Sequence, residues 1–158
     1  MTVTNANNGV LRELSEVECW KHLVHGTVGR IAYVDPAGPV VLPLNYVVQD
    51  GLIWFRTASY DQLAIHAPGQ RVAFEVDHVD ERARTGWSVL VRGRAAHALR
   101  DDPRAAGAWP DPAPWPAGNR SMVFCVTPNE ITGRALAHDP IRPVVGHGPG
   151  TVQRADAG

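Results

Sequence analysis

Lysine is almost missing from this chain. Of its 15 basic residues, 14 are arginine and one is lysine, Lys21. An anion or phosphate site must therefore rely on arginine, hydroxyls and backbone N–H groups. Lysine-base or Schiff-base chemistry has one candidate, and that candidate sits in a helical segment as a surface charge. Cysteine is scarce too. Cys19 and Cys125 alone make no disulfide framework, and a reducing cytoplasm is the expected compartment. No apolar run approaches the ~18 residues of a membrane span. The opening MTVTNANNGVLRE lacks a basic segment followed by an apolar one, so no secretory leader is expected. Charge of one sign is also lacking. With 15 basic and 16 acidic residues the net charge is −1, which gives no bulk drive toward nucleic acid or anionic membrane. Missing as well are the dinucleotide G-x-G-x-x-G, the phosphate loop G-x-x-x-x-G-K-[ST], the zinc H-E-x-x-H and the nucleophile elbow G-x-S-x-G.

What is present is an ordinary globular composition. The 158 residues are 44% hydrophobic and 20% charged, enough for one domain with its own core and too apolar for wholesale disorder. Residues 1–13 are polar and without period, so a loose arm is expected. Ser15-Glu16-Val17-Glu18 is a capping box, followed by Val17, Trp20, Leu23 and Val24 at helical spacing and by Gly26 as a stop. Period two then takes over. Strands are expected over 28–34, 40–48, 52–56, 70–78, 87–99 and 121–127. Turn chemistry stands at 35–39 and 49–51, a weak helix at 61–66 and a charged loop at 79–86. Pro43 cannot donate a ladder hydrogen bond, so a bulge, an edge or an interrupted ladder is expected there. Gly93, midway along the fifth strand, suits a bend. Residues 100–119 hold five prolines and exclude a regular helix or central strand; Trp109 and Trp115 are expected to pin this crossing onto the rest. The domain is expected over 14–138, with a mobile tail at 139–158. Six strands without βαβ alternation exclude a doubly wound fold. They predict a mainly β chain, a small antiparallel barrel with short helices.

Few residues carry obvious chemistry. Cys19, His22 and His25 fall at i, i+3 and i+6, which fan round a helix axis and cannot converge on one ion; no metal site is expected. Cys125 alternates with Phe124 and Val126 on a packed strand and reads as a small buried hydrophobe. Glu75 and Asp77 share one strand face, with Arg92 and Arg94 on the next strand as expected partners. The richest stretch runs from Trp54 to Leu63. There a strand ends in Arg56, the hydroxyls of Thr57 and Ser59 follow, and a short helix begins. This arrangement suits a phosphate, or else simply a helix cap.

Several blocks in order are similar to a known family. They are Gly29-Arg30-Ile31-Ala32, Val41-Leu42-Pro43-Leu44-Asn45-Tyr46, Ile53-Trp54-Phe55-Arg56-Thr57, Val72 to Asp77, Gly86 to Ala95, and Ile131-Thr132-Gly133-Arg134. Together, over roughly residues 14–136, the chain resembles the pyridoxamine 5′-phosphate oxidase-like flavoproteins, near the nitroimidazole-reductase branch. The resemblance implies a six-stranded antiparallel split β-barrel that binds FMN as a homodimer, with the cofactor at the subunit interface. It implies that Pro43, Leu44, Asn45 and Tyr46 lie along the isoalloxazine. Arg56, Thr57 and Ala58 approach the ribityl chain and phosphate, and Trp87 and Ser88 border the flavin, Trp87 in the partner's site. Many relatives carry a lysine just before a leucine in the loop after the strand-end Arg-Thr. Here Asp61 and Gln62 precede Leu63, so Gln62 and Leu63 occupy a phosphate-binding position without its cation, and a deazaflavin is the alternative cofactor. The implied activity is electron transfer from a reduced nicotinamide through flavin to a small organic acceptor, with no obligatory catalytic side chain. The rivals are a flavin or deazaflavin carrier without turnover and a cofactor-free dimer. Trp54, Trp87, Trp109 and Trp115 are expected to need a cover, which also points to a homodimer.

Overall fold

The computed structural model describes residues 9–98 and 111–137. In chain order the elements are β1 (Val10–Glu13), α1 (Glu16–His25), β2 (Val28–Asp35), β3 (Gly38–Gln49), β4 (Leu52–Thr57), α2 (Gln62–His66), β5 (Arg71–Asp80), β6 (Thr85–Ala98) and β7 (Met122–Ala137). Six strands close a ring in the order β7-β4-β3-β2-β5-β6, with β6 returning to β7; every pairing is antiparallel. This is the split-barrel architecture, mainly β, with two short helices.

Local chemistry accounts for most of it. The Ser15 hydroxyl accepts the Glu18 N–H and the Glu18 carboxylate accepts the Ser15 N–H, the reciprocal box that starts α1. Asp35 Oδ1 takes the N–H groups of Ala37 and Gly38, turning β2 into β3. Asp50 and Gly51 have φ of 53° and 72°, the two left-handed residues a tight hairpin turn requires between β3 and β4. Inside the ring, alternate residues interlock: Val72, Phe74 and Val76 from β5, Val89 and Val91 from β6, Phe124 and Val126 from β7. A smaller cluster on the outer face joins Trp54, Ala98, Val123 and Cys125.

Four expectations need correction. The arm is not loose to residue 13, because Val10–Glu13 pairs with Arg134–Ala137 of β7. Residues 1–8 lie outside the described residues. The last strand does not stop at 127 but runs to Ala137, bulging opposite Arg92 and Gly93, where a side chain at 93 would strike the Thr127 carbonyl. Half of the loop expected at 79–86 is strand, leaving 81–84 as the turn. Trp54 needs no partner to cover it. It is fully buried in its own chain, and its indole N–H donates to the Gln49 carbonyl. Trp109 and the tail from 138 lie outside the described residues. The Trp115 side chain is exposed, so the crossing is held by the buried Pro112 and by the Trp115 backbone N–H rather than by the indole.

Tyr46 ties the helix to the barrel. Its hydroxyl donates to the Leu23 carbonyl at 2.7 Å, one of the orphan acceptors at the end of α1. A Cβ at Gly26 would fall on that hydroxyl, so glycine is required there by space. Burial pushes the Tyr46 phenol up to about 12. Tyr46→Phe should cost about 1–3 kcal/mol by stranding a buried carbonyl, read as a lower urea midpoint. The folded state keeps this proton above the ordinary phenol value, so wild-type stability should also fall as pH rises past 10. The variant should lose that part of the decline.

Candidate functional site

The barrel opens where two neighbouring strands part. β3 and β4 pair only from Tyr46 opposite Phe55 to Gln49 opposite Leu52. Beyond that point β3 runs on against β2 alone, with Pro43 opposite Arg30 and Asn45 opposite Val28. β4 runs on against β7, with Arg56 opposite Val123. Pro43 therefore stands in a segment paired along one edge among the described residues, where its missing N–H costs nothing. Of the bulge, edge or interrupted ladder expected at Pro43, this is the interrupted ladder.

A cleft of about 270 Å³ lies in this opening. Val28, Pro43, Leu44 and Asn45 form one wall and Arg56 stands at the end of β4. Pro114, Trp115, Pro116 and Arg120, from the crossing before β7, form the other wall. The crossing is fastened by the Trp115 N–H, which donates to Asn45 Oδ1 at 2.8 Å. The Asn45 amide reaches the Thr27 carbonyl at 3.4 Å. Arg56 lies 3.3 Å from Asp111, and Arg120 lies 3.8 Å from Asp61. Both guanidinium groups keep a buried Nε with no hydrogen-bond partner among the described residues. The cleft thus combines an apolar wall, an unpartnered strand edge and two cations short of acceptors.

The profile described as pyridoxamine 5′-phosphate oxidase matches residues 15–135. The chain belongs to the pyridoxamine 5′-phosphate oxidase family. Among relatives, an uncharacterized protein of Mycobacterium tuberculosis is 30% identical over 83% of this chain and 89% of its own length. A Mycobacterium smegmatis protein of known structure, described as FAD binding, is 31% identical; the match covers 80% of this chain and 98% of that one with a TM-score of 0.61. A candidate pyridoxamine 5′-phosphate oxidase from Corynebacterium glutamicum is 29% identical over 80% of this chain and 93% of its own, with a TM-score of 0.68.

Of the residues that the family resemblance nominated, Pro43, Leu44, Asn45 and Arg56 meet in the cleft. The others do not line it. Tyr46 points into the barrel core, edge-on to Phe74 with ring centres 4.9 Å apart. Thr57, Ala58 and Leu63 are buried. The Thr57 hydroxyl is committed to Asp61 Oδ2 at 2.6 Å, so it offers no open hydroxyl to a ligand. The helix start is not an anion site either, because α2 has five residues and the carboxylate of Asp61 stands at its N-cap. Gln62 is exposed and bonds His66 along α2. Trp87 stacks on His22 of α1, centroids 3.8 Å apart, and burial there holds the His22 imidazole below its ordinary value. Ser88 lines a second groove of about 460 Å³ with Leu90, Arg92, Thr132 and Arg134.

The expected partners of Glu75 and Asp77 are also corrected. Arg30, across on β2, bonds both carboxylates at 2.8 and 2.9 Å. Arg92 goes to Glu130, and Arg94 donates to the Gly69 carbonyl. On α1, Cys19 is buried, His22 faces Trp87 and the His25 ring bonds the Lys21 carbonyl, so the three diverge as helical spacing requires. The sequence reading missed Arg120. It lies in an aperiodic proline-rich stretch, and nothing but the fold brings it to Arg56.

Proposed function

We propose that this chain binds a flavin nucleotide, FMN, in the opened seam between β3 and β4. We further propose that it serves as an oxidoreductase passing electrons from a reduced nicotinamide to a small organic acceptor. The observation that carries the reading is the convergence of Pro43, Leu44 and Asn45 with Arg56 in one cleft. A planar ring fits the apolar wall, the strand edge of Gly38 to Asn45 offers backbone donors and acceptors to the ring's polar rim, and Arg56 suits a phosphate. When bound, flavin supplies hydride and single-electron transfer. The chain's own residues bind and orient: Leu44 and Pro43 exclude water from one side, and the Trp115 N–H and the Thr27 carbonyl fix the Asn45 amide. FAD is the second reading, favoured by the Mycobacterium smegmatis relative described as FAD binding.

The cleft is somewhat small for a whole ligand, since enclosing pockets run to about 300–1,000 Å³. A second copy would complete it. This supports a two-fold homodimer with the cofactor at the interface and with Trp87 and Ser88 serving the partner's site. Such a dimer should bury on the order of 2,000 Å² or more. Sedimentation at micromolar concentration should give twice the 17.1 kDa chain mass; a clean monomer would contradict the assembly.

Titration of the purified protein with FMN, FAD and riboflavin, followed by flavin fluorescence, tests the function. Saturable binding with FMN ahead of riboflavin supports it, FAD ahead of FMN supports the second reading, and no binding by any of the three contradicts both. Reduction by NADPH followed by turnover of an acceptor then separates an enzyme from a carrier.

A further inference from the structure

Arg56 and Arg120 reach the cleft from different parts of the chain, the end of β4 and the crossing before β7. Each side chain is about a quarter exposed, 27% in both cases. Each buries an Nε that meets no acceptor among the described residues. Unpartnered buried donors are rare in native structures and ask for an explanation. An Nε with almost no accessible surface cannot itself meet a ligand; it is the partly exposed remainder of each guanidinium, two on one cleft and each beside an exposed carboxylate, that describes an anion site.

Their present counter-ions are loosely held. The Asp111 side chain is 67% exposed at 3.3 Å from Arg56, and Asp61 is 42% exposed at 3.8 Å from Arg120. Exposed carboxylates at such distances bind weakly. A phosphate dianion, with several oxygens in a fixed geometry, matches two guanidinium forks far better. Asp61 has a second tie, to the Thr57 hydroxyl, whereas the structure records Arg56 as the ion-pair partner of Asp111. Asp111 is therefore the counter-ion free to leave.

We propose that Arg56 and Arg120 form a two-guanidinium clamp for a phosphate dianion, with Asp111 as a built-in anion that holds Arg56 until the phosphate displaces it. The flavin reading supplies the identity of the phosphate's carrier. The clamp also accounts for how a chain with an uncharged Gln62 in the α2 region can still hold a dianion, since the second cation comes from the crossing. Because Asp111 and Trp115 belong to that crossing, phosphate binding is coupled to its position over the cleft.

Two variants, Arg120→Gln and Asp111→Asn, are titrated beside wild type with FMN and with riboflavin at low and high salt. Arg120→Gln should weaken FMN by roughly 10-fold or more, the scale of one charge-assisted bond, and leave riboflavin within about two-fold. Asp111→Asn should tighten FMN by roughly two- to five-fold, with the gain shrinking as salt rises. Equal losses of FMN and riboflavin in Arg120→Gln, or an Asp111→Asn variant that matches wild type at low salt, would overturn the clamp. Should Arg120→Gln fail to fold, the exposed Asp111→Asn change decides alone. If wild type binds no flavin, the cofactor reading falls, and the clamp is judged on inorganic pyrophosphate. A rise in melting temperature in wild type that Arg120→Gln abolishes upholds it, and no rise in wild type overturns it.

Discussion

Arg56→Ala should weaken FMN binding by roughly 10- to 150-fold, the equivalent of about 1.5–3 kcal/mol for a charge-assisted hydrogen bond. Riboflavin, which has no phosphate, should lose far less. The variant should fold normally, because the ion pair that Arg56 makes is with an exposed carboxylate, Asp111, and such pairs contribute about 0–1 kcal/mol. Fluorescence titration of both ligands separates the outcomes. A selective loss of FMN places the phosphate at Arg56, whereas equal losses would make Arg56 a structural residue of the β4 end.

The largest stability effect is expected in the barrel core. Phe74 is fully buried on β5, edge-on to Tyr46 and opposite Ile31 of β2 and Val91 of β6. Its ring fills the space over Gly29, where any Cβ would fall on it. Phe74→Ala should cost about 3–5 kcal/mol through lost transfer energy and the cavity left behind, a large share of the roughly 5–15 kcal/mol that holds a domain together. Urea unfolding should show a lower midpoint with an unchanged slope. A cost under about 1 kcal/mol would mean that β2 and β5 collapse onto the gap and that the ring is not packed as described.

The parts of this fold that could be read in advance are those with a local cause. The Ser15–Glu18 box, the Asp50-Gly51 turn and the alternation of Val72, Phe74 and Val76 each write their structure into a few adjacent residues. β1 does not. All four of its residues are exposed, so no alternation marks it, and it exists because β7 offers an edge. The second half of β7 was hidden for the opposite reason. Pro128 and Gly133 are residue types that usually interrupt strands, but here they sit at the bulge and against α1, where Gly133 makes room for Cys19 and Leu14. The candidate site divides in the same way. The break at Pro43 could be read, because a proline in a strand announces a bulge, an edge or an interrupted ladder; that Pro43 and Asn45 border a cleft was suggested only by the family resemblance. Tyr46 does not line the cleft, because its ring packs on Phe74 in the core and its hydroxyl is committed to the Leu23 carbonyl. Arg120 was invisible, because one arginine among 14 in an arginine-rich chain, inside an aperiodic stretch, carries no signal until the chain folds it onto the same cleft as Arg56.

The most direct test is a crystal structure of the protein grown with FMN. The phosphate should lie within hydrogen-bond distance of the Arg56 and Arg120 guanidinium groups, the ring along Pro43, Leu44 and Asn45, and Asp111 should be withdrawn from Arg56. A flavin seated away from the seam between β3 and β4, or a phosphate that touches neither arginine, would contradict this placement.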